Sequence, residues 1–174
     1  MRKVLYILSR LTDEDVDWIS QTGRRTRHAK GDVLIRHGEP INALMIVLDG
    51  RVSVEVDGVG QIAALGSGEM LGEMSLVDEA PPSATVVVIE PANVLHLDRN
   101  VLNARLDGDP AFASRLYRAI AMFLSVRMRS TVSRLGYGKA TSVVAEDEID
   151  ISLLETVTIA GSRFDRMIKK LLTV

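Results

Sequence analysis

The run Gly66-Ser67-Gly68-Glu69-Met70-Leu71-Gly72-Glu73-Met74-Ser75 gathers residue types from which an anion-binding turn can be built. Glycines let a backbone approach a ligand closely, and amides at a helix start attract negative charge. Glu73 falls in the first turn of a short amphipathic helical stretch, where its carboxylate can accept from a pair of hydroxyls. Beyond Pro81-Pro82, Ser83 and the amide of Ala84 can face the same space, with a strand beginning near Thr85. A ligand carrying a phosphate and a ribose would use all of these groups. Each also has a plainer reading. The helix dipole alone explains an acid at Glu73, tight packing of turn against sheet explains Gly72, and Ser83 can satisfy a turn amide.

Other chemistry finds little support. The three histidines, His28, His37 and His96, are spread over three expected elements with no HxH pair, so each reads as a surface or strand-edge residue and no metal site is expected. Zero cysteines exclude a disulfide framework, a thiolate site and a cysteine nucleophile. No G-x-S-x-G elbow and no Walker loop is present. Catalytic residues are therefore not expected, and neither is enzyme activity. Lys+Arg at 21 against Asp+Glu at 23 gives a net charge of -2, which excludes a globally basic nucleic-acid binder. The apolar stretch Val4 to Leu8 is far too short to span a membrane. A cytoplasmic protein is expected.

The elements that must position these residues follow from punctuation and period. Thr12 and Asp15 form a capping box, with Leu11 and Val16 placed as a hydrophobic staple, and the helix runs to about Thr22 before Gly23. From Arg24 the turn signals become those of an all-β unit. Arg51 to Val56 alternates, so one face is expected wet, and Asp49-Gly50 reads as a two-residue hairpin after Ala43–Leu48. Asp109-Pro110 opens a long helix that can continue to Leu135. One apolar row is Phe112, Leu116, Ile120 and Phe123; another is Tyr117, Ala121, Leu124, Met128, Val132 and Leu135. Two rows suggest burial on two sides, against the sheet and against a second copy; the alternative is one broad stripe within a monomer. The expected organisation is thus an N-terminal helical segment (1–23), a barrel with its ligand turn (24–108), a long dimerisation-type helix (109–137), an acidic linker (138–151) and a C-terminal amphipathic helix (152–174). Arg163, Arg166, Lys169 and Lys170 on that last helix read as a solvated face.

The set Gly31-Asp32-Val33-Leu34-Ile35, Gly38-Glu39, Met45-Ile46-Val47, Gly50-Arg51-Val52, Gly72-Glu73-Met74-Ser75-Leu76 and Ser83-Ala84-Thr85-Val86 resembles the cyclic nucleotide-binding domain family. In order and spacing the resemblance covers about residues 10 to 135. It implies a mainly β fold with flanking α-helices: an eight-stranded jelly-roll β-barrel, a phosphate-binding cassette, and a long C-terminal helix that often dimerises. It implies that Glu73 binds the ribose 2′-hydroxyl, that Gly72, Met74 and Ser75 contribute backbone contacts, and that Ser83 and Ala84 lie beside the cyclic phosphate of cAMP or cGMP. It places purine-side contacts around Arg127, Ser130 and Thr131, although Arg127 and Arg129 on their own read as solvent-facing.

One position departs from that pattern. The family's phosphate-binding arginine should precede Ser83, and this chain has Pro82, which supplies neither charge nor an amide hydrogen. Losing one member of a desolvated charge pair costs about 2–5 kcal/mol, or roughly 30-fold to several thousand-fold in affinity. A helix N-terminus returns only about 0.3–1 kcal/mol. Two readings follow: a non-enzymatic sensor of cyclic nucleotide, and a homodimeric interaction module that kept the fold and lost the ligand. Either would act on a protein partner that the sequence does not name. A DNA-binding regulator needs a further helix and turn that the residues after Leu135 do not offer, so nucleic-acid binding is not expected.

Overall fold

In the computed structural model, residues 8–134, 161–169 and 171 are described, the side chains of Ser130, Ser133 and Arg134 excepted. Helix α1 (Asp13–Thr22) begins as its capping box requires. The Thr12 hydroxyl accepts from the Asp15 amide, and the Asp15 carboxylate accepts from the Thr12 amide at 2.8 Å. Gly23 closes the helix with φ of -72°, so left-handed freedom is not why it is glycine. A Cβ there would stand 2.6 Å from Leu95 Cδ1, and close packing of helix on sheet is the reason.

Six strands follow in one antiparallel sheet: β1 (Arg24–His28), β2 (Val33–Ile35), β3 (Ala43–Val56), β4 (Gly60–Gly66), β5 (Met70–Leu71) and β6 (Thr85–Asp98). The cassette helix α2 (Glu73–Asp78) interrupts them, and α3 (Arg99–Gly108) and α4 (Pro110–Arg134) come after. The mainly antiparallel, helix-flanked architecture is the expected one, but the sheet is not closed. The expected hairpin at Asp49-Gly50 is also absent. The two runs either side of it are one strand, bent by a bulge where the β3–β6 register shifts between Val47 and Val52. Gly50 holds φ of +82°, and a Cβ on it would meet the Pro91 carbonyl at 2.3 Å. Pro91, which has no amide to donate, sits opposite this break, where sheets tolerate proline. Asp49 stabilises the bulge by accepting from both the amide and the side chain of Asn93. Eight expected strands become six because β3 and β6 each bend where two strands were expected to meet.

Both faces of the bent sheet are covered. Leu44, Ile46 and Leu48 of β3 join a cluster with α1, α3 and α4, while Met45 and Val47 between them join a second cluster within the bent sheet, with Val52, Leu65, Leu71, Val86 and Val94. That is why residues 44–48 are continuously apolar instead of alternating. Ser53, expected on the wet face, is wholly buried and donates to Glu55 at 2.6 Å.

Helix α3, capped by Asp98, stands at the end of the interval assigned to the barrel. On α4 the first apolar row is buried throughout: Phe112, Leu116, Ile120 and Phe123 are each at most 1% exposed. Burying side chains of this size contributes about 1.5–3 kcal/mol each. The second row is open at Tyr117, Met128 and Val132, which are 42%, 70% and 38% exposed, but Leu124 within it is half-buried against the core. Leu135, the acidic linker and residues 152–160 lie outside the described residues. Residues 161–169 are helical, and Phe164 and Met167 enter the same core as α4. Arg163 and Arg166 are not a solvated face. They pair with Asp13 and Asp17 of α1, each at 2.6 Å, and so dock this helix on its own chain.

The buried carboxylate of Asp15 accepts two hydrogen bonds from Arg115 of α4, at 2.7 and 2.9 Å. Burial by itself would raise the pKa of Asp15, but Arg115 and the Thr12 amide and hydroxyl outweigh it and hold the group below 3.8. A lowered folded-state pKa means that this stabilisation is present at neutral pH and is lost as pH falls through the acidic range below 3.8. Asp15→Ala removes both the cap and the Arg115 partner. We expect a loss of about 1–3 kcal/mol in urea unfolding at pH 7, shrinking when the same pair of proteins is compared near pH 3.

Candidate functional site

The cassette is built where β5 ends. Gly72 is the N-cap of α2 with φ of +82°, and a Cβ at that position would stand 3.0 Å from the Ala43 carbonyl and 3.5 Å from Ile41. Both the backbone angle and the space demand glycine. This places Glu73 at the first position of α2, pointing inward and only 2% exposed, with Ser75 buried beside it and Met74 half exposed on the outer side. The expected helix start is therefore present, and its acid is a buried group.

The partner of that acid comes from α4. Arg127 Nη1 donates to Glu73 Oε1 at 2.6 Å, and Nη2 donates to Glu69 Oε2 at 3.3 Å and to the Met70 carbonyl at 3.2 Å. Its guanidinium also stands 4.5 Å from the centre of the Phe123 ring, a cation–π contact. Arg127 is thus not solvent-facing, and it lies on Glu73, the acid for which the resemblance implies a ribose contact. Burial pushes the Glu73 carboxyl above its ordinary 4.5, with Arg127 and the residue's own amide pulling down and Glu69 pushing up. The signal for Arg127 was available: position 127 continues the buried row of Phe112, Leu116, Ile120 and Phe123.

The remaining predicted residues are less gathered. Ser83 is exposed and Ala84 half-buried. Pro82 is half-buried, and its carbonyl accepts from the Gly38 amide at 2.9 Å. The neighbouring His37 amide donates to Thr85 Oγ1 at 3.2 Å. The turn before Thr85 is thus tied to the 37–38 loop through the backbone. Thr131 is exposed and donates to the Arg127 carbonyl at 3.0 Å, while the Ser130 side chain lies outside the described residues. The structure joins Glu73, Gly72 and Arg127; Thr131 meets only the Arg127 backbone, one helical turn on, and no hydrogen bond ties Ser83 to the three among the described residues.

His28 and His96 also differ from expectation. They are not isolated strand-edge residues, because their Nε2 atoms stand 3.2 Å apart. Burial first, then His28 and Arg24, lowers His96 to about 4. No helix among the described residues is long and apolar enough to cross a membrane.

Comparison with known proteins bears on the fold that carries this site. Residues 25–109 match the family described as the cyclic nucleotide-binding domain. The chain is 32% identical over 115 residues to a cyclic AMP receptor protein of Thermus thermophilus, covering 64% of this chain and 53% of that one. It is 29% identical over 100 residues to a cAMP-dependent protein kinase regulatory subunit of Hypocrea atroviridis, covering 58% and 21%. The chain therefore spans about half of the first and a fifth of the second. Among solved structures, a cyclic nucleotide-binding domain from Methylobacillus flagellatus superposes with a TM-score of 0.70 at 25% identity, covering 82% of this chain and 85% of that one.

Removing Arg127 leaves Glu73 buried without its strongest donor. Breaking a buried ion pair typically costs 3–5 kcal/mol, and partial exposure of the guanidinium reduces this. We expect Arg127→Ala to lose about 1–3 kcal/mol in chemical denaturation. In a double-mutant cycle with Glu73→Gln, a coupling of at least about 1 kcal/mol should appear.

Proposed function

We propose, for a chain whose residues 25–109 belong to the cyclic nucleotide-binding domain family, a non-enzymatic regulatory role with cAMP or cGMP as the ligand class. The observation that carries this reading is the link between the two parts such a device must couple. Glu73, the acid that the family resemblance assigns to ribose, is held by Arg127 of the long helix. A ligand hydroxyl that takes the Glu73 carboxylate competes with that guanidinium and so changes the contacts that seat α4. Differential contact of this kind is what coupling requires. Supporting it, Gly72 and the start of α2 retain a backbone suited to close approach. Against high affinity stands Pro82, which offers a phosphate no charge, while the guanidinium that does meet the cassette is already engaged by two carboxylates.

That same engagement favours a second reading, a ligand-free homodimeric module in which Arg127 permanently satisfies the acid. Calorimetry on nucleotide-stripped protein separates the two. On the first reading cAMP or cGMP binds weakly, Glu73→Ala weakens binding further, and Pro82→Arg strengthens it by at least about 30-fold. Absence of heat from both the unmodified chain and Pro82→Arg overturns it in favour of the second.

Both readings use the open row on α4 as a homodimer interface, and both place the protein in the cytoplasm acting on another protein. Tyr117, Ala121, Met128 and Val132 present apolar surface along one side of the helix. Light scattering is expected to give twice the 19.0 kDa chain mass. Tyr117→Asp combined with Met128→Asp should return the monomer without loss of helical signal. A monomeric unmodified chain at high micromolar concentration would refute the interface.

A further inference from the structure

His28 closes β1 and His96 lies near the end of β6. In the antiparallel register His96 faces Arg24 and His28 faces Ala92, so the two histidines flank the intervening Thr26–Val94 pair. His28 lies four positions along β1 from Arg24, the residue opposite His96, an even offset that puts both rings on one face of the sheet. They lean toward each other across that pair until their Nε2 atoms are 3.2 Å apart, with ring centres at 5.4 Å. Such convergence needs either a proton shared between the rings or an ion held by both.

We propose that His28 and His96 form a two-point clamp for a divalent transition-metal ion of borderline softness, with Zn2+ as its representative. Zinc–imidazole bonds are about 2.0–2.1 Å long, and two of them at a tetrahedral angle span about 3.3 Å between nitrogens. The observed separation fits that span without rebuilding either strand. Both rings are reachable, because they line a groove of about 390 Å³ together with Ile35, Glu39, Asn42 and Met45. Imidazole suits zinc, copper and nickel, and does not suit magnesium or calcium, which prefer oxygen donors.

Asp32 supplies the outer contact that metal-bound histidines characteristically have. Its Oδ2 lies 3.6 Å from His28 Nδ1 and is held in place by the Ala29 amide at 2.8 Å. A small closure would let His28 donate from Nδ1 to Asp32, leaving the lone pair of Nε2 for the ion. Only a change of tautomer is needed for this, with no net loss of a proton. Among the described residues no set of three His, Cys, Asp or Glu side chains gathers as a metal cage. The ion would therefore keep water in its remaining positions and bind more weakly than in a closed structural site. Because one ligand comes from β1 and the other from β6, the ion would pin the sheet edge that carries α1.

Metal-stripped full-length chain titrated with ZnCl2 at pH 7.5 should take up one ion per chain, with MgCl2 giving no signal. His28→Gln and His96→Gln should each weaken uptake at least tenfold. Zinc should raise the melting temperature of the unmodified chain and of neither variant. In parallel, the side-chain nitrogen resonances of the unmodified chain should show two Nε2 nuclei shifting together as zinc is added. That measurement needs no variant and stands if either substitution fails to fold. Substoichiometric uptake, equal affinity in a folded His96→Gln variant, or titration without a shift at both Nε2 nuclei would overturn the proposal and leave a hydrogen-bonded histidine pair.

Discussion

A guanidinium from the long helix meeting a carboxylate at the start of the cassette helix is the contact through which this molecule holds together as one device. Arg127 and Arg115 stand twelve residues apart on α4, or about 18 Å along its axis. One is fixed to Glu73 and Glu69, the other to Asp15 of α1. Between them run Leu116, Ile120 and Phe123, all buried, with Phe112 one turn before Arg115. The apolar row supplies most of the adhesion, since each such side chain contributes about 1.5–3 kcal/mol. The two arginines do something the row cannot do. A hydrophobic face tolerates sliding, whereas a guanidinium placed on a buried carboxylate fixes both the rotation and the axial position of the helix. Any event that alters the charge or partners of Glu73 therefore acts directly on the seating of α4.

The sheet makes that contact possible through a bend. At Gly50 the β3 backbone passes so close to Pro91 and Ala92 of β6 that any side chain would collide. Bending both long strands there lets β4 and β5 pair along different halves of β3, while β1 and β2 pair along different halves of β6. The lower half of β3 meets β5, and β5 delivers Gly72 against Ala43. Without the bulge, Met70 and Leu71 would have no edge to join, and Glu73 would not face α4.

Much of this was legible in the residues, and the failures have identifiable causes. The capping box at Thr12, the glycine before Glu73 and the buried row on α4 all rest on local rules, and they stand as read. The Asp49-Gly50 hairpin failed because Asp-Gly supplies positive φ equally well to a two-residue turn and to a bulge. Only the partner strand, with Pro91 opposite, decides between them. Arg163 and Arg166 read as solvated because their partners, Asp13 and Asp17, lie about 150 residues earlier in the chain. His28 and His96 were separated for the same reason, since sequence spacing does not disclose antiparallel register. Arg127 is the instructive case, because its position in the apolar row was visible but its charge suggested solvent.

The substitution at Pro82 gains meaning from what surrounds it. The backbone at that turn is not loose: its carbonyl receives the Gly38 amide, and Thr85 Oγ1 receives the amide of His37. Proline keeps such a turn rigid at low entropic cost while removing the charge that the family resemblance places there. Meanwhile Arg127 brings a cation to the cassette from α4, and brings it to Glu73, the acid that the resemblance assigns to ribose, and not to the turn at Pro82. The cation that does reach the cassette is engaged by the protein's own carboxylates, Glu69 and Glu73. On the proposed reading, a hydroxyl that reaches Glu73 must compete with a guanidinium already seated on a buried carboxylate, so the balance between ligand and helix would be set at Glu73.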